Sequence, residues 1–176
     1  MRIDLTDVLS QDGNTQEESV TLDLTHFRRG RGEHYKLTER SPVQVSIRHE
    51  KDQVLTIKGQ CRVSLQMACA RCLTPVRKDL ELTFEHQVDV LHPGEDEDEL
   101  EMSLCIQDRK MLDVDQLVHN EILINLPIRV LCKEDCKGIC PVCGQNLNEG
   151  ACSCDQGQAD LRTAAFQEIF SKFKEV

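Results

Sequence analysis

The chain has 176 residues, 39% of them hydrophobic, which is enough for one globular domain with a small appendage. Its formal net charge of −10 argues against a protein that coats nucleic acid, because such proteins neutralise phosphates with many lysines and arginines. The chain starts with acidic residues instead of an apolar leader and has no run of about eighteen apolar residues, so we expect a cytoplasmic protein without a membrane segment.

The first half of the chain alternates between apolar and polar residues, a pattern typical of half-buried β-strands. The two longest runs cover residues 55–67 and 80–90, and shorter ones cover residues 43–47 and 20–24. Cys69 and Cys72 lie between the two long runs, at the tip of a predicted hairpin. The sequence therefore predicts an antiparallel meander of four or more strands.

The periodicity changes to helical after an acidic run at residues 95–101, which we expect to be a solvated loop. Asp113 and Gln116 form an N-terminal capping pattern, and Pro127 ends this helix. A second, amphipathic helix is predicted over residues 160–174. The predicted fold class is α+β, with an antiparallel β domain (1–94), an acidic loop (95–101), a helical segment packing on the sheet (102–131), and a zinc-binding cysteine module with a C-terminal helix (132–176).

The ten cysteines indicate a metal site, because disulfides do not persist in a reducing cytosol. The strongest signal is Cys140-Pro-Val-Cys143-Gly144, where proline fixes the entry to a turn and glycine permits a positive φ. Cys152 and Cys154 follow and would complete a tetrahedral zinc site. Four thiolates leave no coordination position for an activated water, so we expect a structural metal.

Four further cysteines predict a second site, in which Cys69 and Cys72 join Cys132 and Cys136. Another partition stays open, with the sets Cys132, Cys136, Cys140 and Cys143, and Cys69, Cys72, Cys152 and Cys154. A hairpin pair without metal also stays open, so the sequence predicts one or two zinc ions. Cys61 and Cys105 stand in apolar alternation and are interpreted as core residues.

A basic cluster stands between the first strands. Its candidate nucleic-acid contacts are Arg28, Arg29, Arg31 and Lys36, set among glycines and two aromatic residues. A solvated loop is the alternative interpretation. Because the rest of the chain is acidic, we expect any RNA contact to be local and a basic protein to be the favoured partner.

Several motifs together resemble one family. The string CARCL, the later stretch LPIRVLCKEDCKGICPVCGQNLN, a Cys-x-Cys pair and a helix opening with DLR are similar to the YceD-like proteins, known as large ribosomal RNA subunit accumulation proteins. The resemblance runs from about Val20 to the C-terminus and departs at Leu161, where the family has proline. The resemblance implies a bacterial or plastid factor from a family to which no enzymatic activity is firmly assigned. It places the family's cysteine motifs on the eight cysteines of the two predicted sites.

These observations favour a non-enzymatic ribosome-biogenesis factor that binds a basic ribosomal protein and/or large-subunit precursor RNA. No nucleophile elbow, phosphate loop or HExxH motif is present, and no small-molecule substrate is expected. The alternative is a redox-regulated zinc switch with chaperone-like activity, in which oxidation of the cysteine pairs ejects zinc. A DNA-binding zinc ribbon is disfavoured by the net charge.

Overall fold

The computed structural model describes residues 1–29, 32–52, 54–91 and 103–154. The described residues form nine strands and two helices, in chain order β1 (Arg2–Asp4), α1 (Thr6–Leu9), β2 (Thr15–Val20), β3 (His26–Arg29), β4 (Glu33–Arg40), β5 (Val43–His49), β6 (Val54–Ala68), β7 (Pro75–Asp89), β8 (Ile106–Gln107), β9 (Met111–Asp113) and α2 (Val114–Asn125). The chain divides into two compact units, a larger one of Met1–Ala68 and Pro75–Val130, and a smaller one of Cys69–Thr74 and Leu131–Val176. The acidic run and the predicted C-terminal helix lie outside the described residues.

The long β6–β7 hairpin organises the main sheet. The two strands pair antiparallel along their whole length, from Val54 opposite Asp89 to Ala68 opposite Pro75. The other edge of β6 is shared, because β5 pairs with its first half and β4 with its second half. The strand order is β2-β5-β6-β4-β3, with β7 on the remaining side of β6. The predicted antiparallel sheet is confirmed, and the alternating apolar residues of β6 lie in the core.

Phe84 on β7 lies over Gly59, its direct partner on β6. A Cβ atom at residue 59 would stand 2.2 Å from Cζ of Phe84 and 2.5 Å from its Cε2, far inside van der Waals contact. Phe84 is only 6% exposed, so its ring cannot swing away without leaving the core. Gly59 therefore provides the space that this ring occupies.

Residues 20–24 differ from the sequence prediction. β2 ends at Val20, and residues 21–25 are irregular although Leu22 is fully buried. A side chain, instead of a neighbouring strand, provides the hydrogen-bond acceptor for this segment. Oδ1 of Asp115 accepts hydrogen bonds from the backbone N–H groups of Asp23 and Leu24, at 2.9 and 3.3 Å. The alternation here reflected burial of Leu22 against the core and not strand pairing.

The structure around the basic cluster also differs from the solvated loop that was the alternative interpretation. Residues on both sides of it form an antiparallel hairpin, in which Phe27 opposes Tyr35 and Arg28 opposes His34. Phe27 is completely buried, and its ring centroid lies 4.8 Å from that of His119 on α2. The hairpin is therefore the anchored edge of the main sheet.

Helix α2 starts as predicted. The carboxylate of Asp113 accepts the backbone N–H of Gln116 at 3.2 Å, and the helix ends at Asn125, two residues before Pro127. One buried side chain on its inner face is charged: Glu121 is 5% exposed, and its Oε1 lies 2.6 Å from Nε2 of His86 on β7. A small sheet of β1, β9 and β8 leads directly into the helix.

Candidate metal centres

The loop that joins β6 to β7 belongs to the smaller unit, where it supplies half of a four-sulfur cluster. The ligand atoms of Cys69, Cys72, Cys132 and Cys136 all lie within 4.8 Å of one another. The Sγ atoms of Cys69 and Cys136 are 3.8 Å apart, and those of Cys72 and Cys132 are 3.5 Å apart. Zn–S bonds near 2.3 Å in a tetrahedron require sulfurs about 3.8 Å apart, so this first cluster fits a tetrathiolate zinc ion.

A second cluster follows along the chain. Its ligand atoms, which also lie within 4.8 Å of one another, belong to Cys140, Cys143, Cys152 and Cys154. All ten cysteines of the chain are free thiols, so no disulfide competes for these sulfurs. Of the two partitions that the sequence left open, the structure forms the one that joins the hairpin pair to Cys132 and Cys136.

Backbone N–H groups favour the ionised, metal-binding form of one thiol in the first cluster. Sγ of Cys69 lies 3.5 Å from the N–H of Arg71 and 3.4 Å from that of Cys132. Hydrogen bonds from the N–H groups of Cys72, Arg71 and Cys132 lower the pKa of the Cys69 thiol to about 6. The pKa of the Cys132 thiol is instead raised to about 12, first because the thiol is hydrogen-bonded to the sulfur of Cys72 and second because it is desolvated. A divalent cation would supply the positive charge that ionises this last thiol.

The second cluster repeats this arrangement. The N–H groups of Cys143 and Val142 lower the pKa of the Cys140 thiol to about 6, and the N–H of Val142 lies 3.4 Å from its sulfur. The pKa of Cys154 is raised to about 12, chiefly by its hydrogen bond with Cys143. Cys140 is buried, but Cys143 is exposed and Cys152 is half-buried, so this second cluster is more open to solvent than the first.

Two asparagines that sequence reasoning missed support the first cluster. Nδ2 of Asn148 lies 3.3 Å from Sγ of Cys136, while its Oδ1 accepts the backbone N–H of Lys137. Burial opposes ionisation of Cys136, yet the Asn148 amide and the N–H of Gly138 outweigh it and lower the pKa of that thiol. Oδ1 of Asn146 accepts hydrogen bonds from the backbone N–H and from the side-chain amide of Asn148, and these two bonds orient Asn148. The only signal in the sequence was the repeated asparagine in QNLN.

A zinc ion in either cluster would act as a structural cross-link, because four thiolates fill its coordination sphere. The remaining cysteines, Cys61 and Cys105, are buried in the larger unit, outside both clusters. Burial raises the pKa of Cys61 to about 11, as expected for a core thiol.

The candidate nucleic-acid contacts lie in the larger unit. Arg28 and Arg29 stand on β3 and Lys36 on β4, all three with exposed side chains. Arg31 lies outside the described residues.

A comparison with protein-family models identifies the chain. The model described as large ribosomal RNA subunit accumulation protein YceD matches residues 57–170, which include all eight clustered cysteines. The chain belongs to the YceD family. The YceD resemblance inferred from the cysteine motifs is thereby confirmed.

The chain is also similar to several longer proteins at low identity. The chain is 26% identical over 188 aligned residues to the chloroplastic large ribosomal RNA subunit accumulation protein YCED homolog 1 of Arabidopsis thaliana, covering 88% of this chain and 54% of that protein. It is 30% identical over 79 residues to uncharacterized proteins of Mycobacterium tuberculosis and Mycobacterium bovis, covering 45% of this chain and 38% of each. The chain thus spans about half or less of the curated relatives it matches. No solved structure matches it.

Among the described residues of this YceD-family chain, no helix has the length and apolarity to span a bilayer.

Proposed function

We propose that this chain is a non-enzymatic cytoplasmic factor that supports accumulation of large-subunit ribosomal RNA by binding a basic ribosomal protein of that subunit. The role is supported by membership in the YceD family and by the name of the Arabidopsis relative. Because the chain spans only about half of that relative, the role is carried over here as a proposal.

Charge is the observation that carries the choice of partner. The chain has a formal net charge of −10, and each zinc ion held by four thiolates would add about two negative charges. Ribosomal RNA is repelled by such a charge at long range, whereas a basic protein is steered toward it. A protein partner is therefore favoured over RNA as the primary contact.

The two cysteine clusters support a binding role without catalysis. In the first cluster, zinc would tie the loop between β6 and β7 to the segment that starts at Leu131, both within the smaller unit. Such an ion fixes the shape of a surface and, with four thiolate ligands, has no open position for a substrate.

The test uses the full-length, zinc-loaded, affinity-tagged chain and the total protein extracted from purified large ribosomal subunits. We expect the tagged chain to retain one or a few basic proteins, with retention falling as salt rises. A matched variant replaces the six acidic residues of 95–101 by their amides and should capture the same protein more slowly and with weaker salt dependence.

Other outcomes would contradict the proposal. Recovery of RNA without any ribosomal protein from cells expressing the tagged chain would make RNA the primary partner. Zinc release by mild peroxide together with a gain of chaperone activity would favour the redox switch instead.

A further inference from the structure

The β3–β4 hairpin presents its two faces very differently. Directly opposed residues share a face and neighbours alternate, so Phe27 and Tyr35 point to one side. Their rings are stacked with centroids 6.1 Å apart, and Phe27 also contacts His119. With Phe27 fully buried, this inner face anchors the hairpin to the core. The opposite side is therefore held as a fixed surface.

That opposite side, here called the basic face, consists of His26, Arg28, His34 and Lys36, all exposed. Among the described residues, neither Arg28 nor Lys36 has a carboxylate within ion-pair distance. Four other cations of the same sheet do have one: Arg48 with Glu50, Lys58 with Glu85, Arg62 with Glu81, and Arg77 with Glu39. Among the described side chains, therefore, no carboxylate neutralises the positive charge of Arg28 and Lys36.

A groove of about 830 Å³ adjoins the basic face. It is lined by His26 and Lys36 of that face, by Arg40, and by hydroxyl groups that include those of Thr38 and Ser41. Glu39 also lines the groove, but both of its oxygens are held by the guanidinium of Arg77 at 2.6 Å. The groove therefore presents the ammonium of Lys36 and the guanidinium of Arg40, which suit phosphate oxygens. That guanidinium also donates to the carbonyl of Leu24, and the hydroxyls of Thr38 and Ser41 donate to backbone carbonyls.

We infer that the basic face and its groove bind the ribose-phosphate backbone of RNA. The inference rests on the proposed function, to which it adds a second, RNA contact beside the protein partner. The aromatic rings of the hairpin point into the core and offer no stacking platform, so binding is independent of base sequence. Because the whole chain is acidic, this contact is weak alone and gains from simultaneous binding of the basic protein.

The test measures fluorescence anisotropy of a labelled, mixed-sequence RNA of about twenty nucleotides with the full-length, zinc-loaded chain. Three cations, Arg28, Lys36 and Arg40, predict a slope of about −2 for the logarithm of the association constant against that of salt concentration. The double variant Arg28→Glu/Lys36→Glu should lose about tenfold or more in affinity. Arg28→Gln/Lys36→Gln, a milder change, should lose less and should flatten the slope.

The control is Lys51→Glu/Lys110→Glu, which changes the net charge equally at exposed positions outside the basic face. It should change RNA affinity less than about threefold. Equal losses in both glutamate variants would overturn the inference, because net charge alone would then explain binding. Displacement of RNA by polyglutamate at equal charge concentration would also overturn it and would assign the face to an acidic protein.

Two readouts separate this inference from the proposed function. The Arg28→Glu/Lys36→Glu variant should still capture the basic large-subunit protein with unchanged zinc content. If the wild-type chain captures no such protein but binds RNA through the basic face, the proposed partner is wrong and this inference stands. If it captures the protein and binds no RNA at low salt, the inference is wrong and the proposed function stands.

Discussion

Leu73 and Gly144 adopt the same left-handed backbone conformation at equivalent positions of two cysteine turns. Each follows the second cysteine of a Cys-x-x-Cys pair, with φ of +61° at Leu73 and +74° at Gly144. The N–H of Leu73 donates to the carbonyl of Cys69 at 3.0 Å, and that of Gly144 donates to the carbonyl of Cys140 at 2.9 Å. The turn that glycine favours is therefore also built with a leucine whose side chain is 62% exposed.

Replacing Leu73 by glycine should leave zinc binding intact and keep or raise the free energy of unfolding, by up to about 1 kcal/mol. Relief of left-handed strain, about 1–2 kcal/mol, is partly offset by the greater freedom of glycine in the unfolded chain. The reverse change, Gly144→Leu, should lower the free energy of unfolding by about 1–2 kcal/mol. Denaturant unfolding of the zinc-loaded protein and a chromogenic chelator measure both quantities. Zinc loss in Leu73→Gly would show that the leucine side chain itself supports the site.

Metal analysis of the purified chain should give two zinc ions. Cys136→Ser should remove the ion of the first cluster and Cys154→Ser that of the second, because each leaves three thiolates. Cys61→Ala lies outside both clusters and should retain both ions. The measurement is elemental analysis by mass spectrometry after dialysis. One ion per wild-type chain would contradict the prediction.

Zinc affinity should fall as the pH falls, and more steeply below about 6. Protons compete with zinc for thiolates. With pKa values of about 6, Cys69 and Cys140 are mostly ionised at pH 7, so near that pH zinc displaces protons chiefly from thiols such as Cys132 and Cys154, with pKa values of about 12. Below 6 the first two are protonated as well, and each ion must displace one more proton. Competition with a chelator between about pH 5.5 and 8 tests this, and a constant affinity would refute it.

Removing His86, which is half-buried, from its contact with the buried Glu121 should be costly. His86→Ala leaves the Glu121 carboxylate, 5% exposed, without its partner at 2.6 Å, and should lower the free energy of unfolding by about 3 kcal/mol. Adding Glu121→Gln to His86→Ala should recover part of this loss, because the buried charge is then gone. The exposed Gln116→Ala serves as control, with an expected change within about 0.5 kcal/mol. Additive effects of the two substitutions in denaturant unfolding would show that the pair is not coupled.

Gly59→Ala should destabilise the main sheet by about 1–3 kcal/mol, because the new methyl group meets the Phe84 ring. The double variant Gly59→Ala/Phe84→Leu should be less destabilised than the sum of its single changes. Gly32→Ala, with no atom of the described residues within 4 Å of its Cβ position, is the matched control and should change stability by less than about 0.5 kcal/mol. Thermal unfolding measures all four variants. An equal effect of the changes at Gly59 and Gly32 would contradict the role of Phe84.

Features set by short-range chemistry could be predicted from the sequence. Apolar and polar residues alternate over residues 55–67 of β6 and from residue 80 onward in β7, and the side chain of Asp113 caps its own helix three residues away. The grouping of Cys140 with Cys154 followed from proximity along the chain. In each case the deciding interaction lies within one element or between its immediate neighbours.

Features that depend on distant partners could not be predicted. The irregular segment after Val20 exists because Asp115, over ninety positions later, takes the place of a neighbouring strand. The β3–β4 hairpin is short and interrupted by glycines and arginines, so its strand character depends on Phe27 reaching the core. Asn148 is distinguished from any turn asparagine only by the sulfur of Cys136 beside it.

The two clusters differ in the length of the chain segment that each must close. Cys140 and Cys154 are fourteen positions apart, so the second cluster can capture an ion as soon as that segment leaves the ribosome. Cys72 and Cys132 are 60 positions apart, and closing a loop of that size costs about 4 kcal/mol in chain entropy. The ion of the first cluster can therefore be held only once β7 and α2 have been made. Its occupancy therefore reports that two distant segments of the chain have come together, whereas that of the second cluster reports only a local turn.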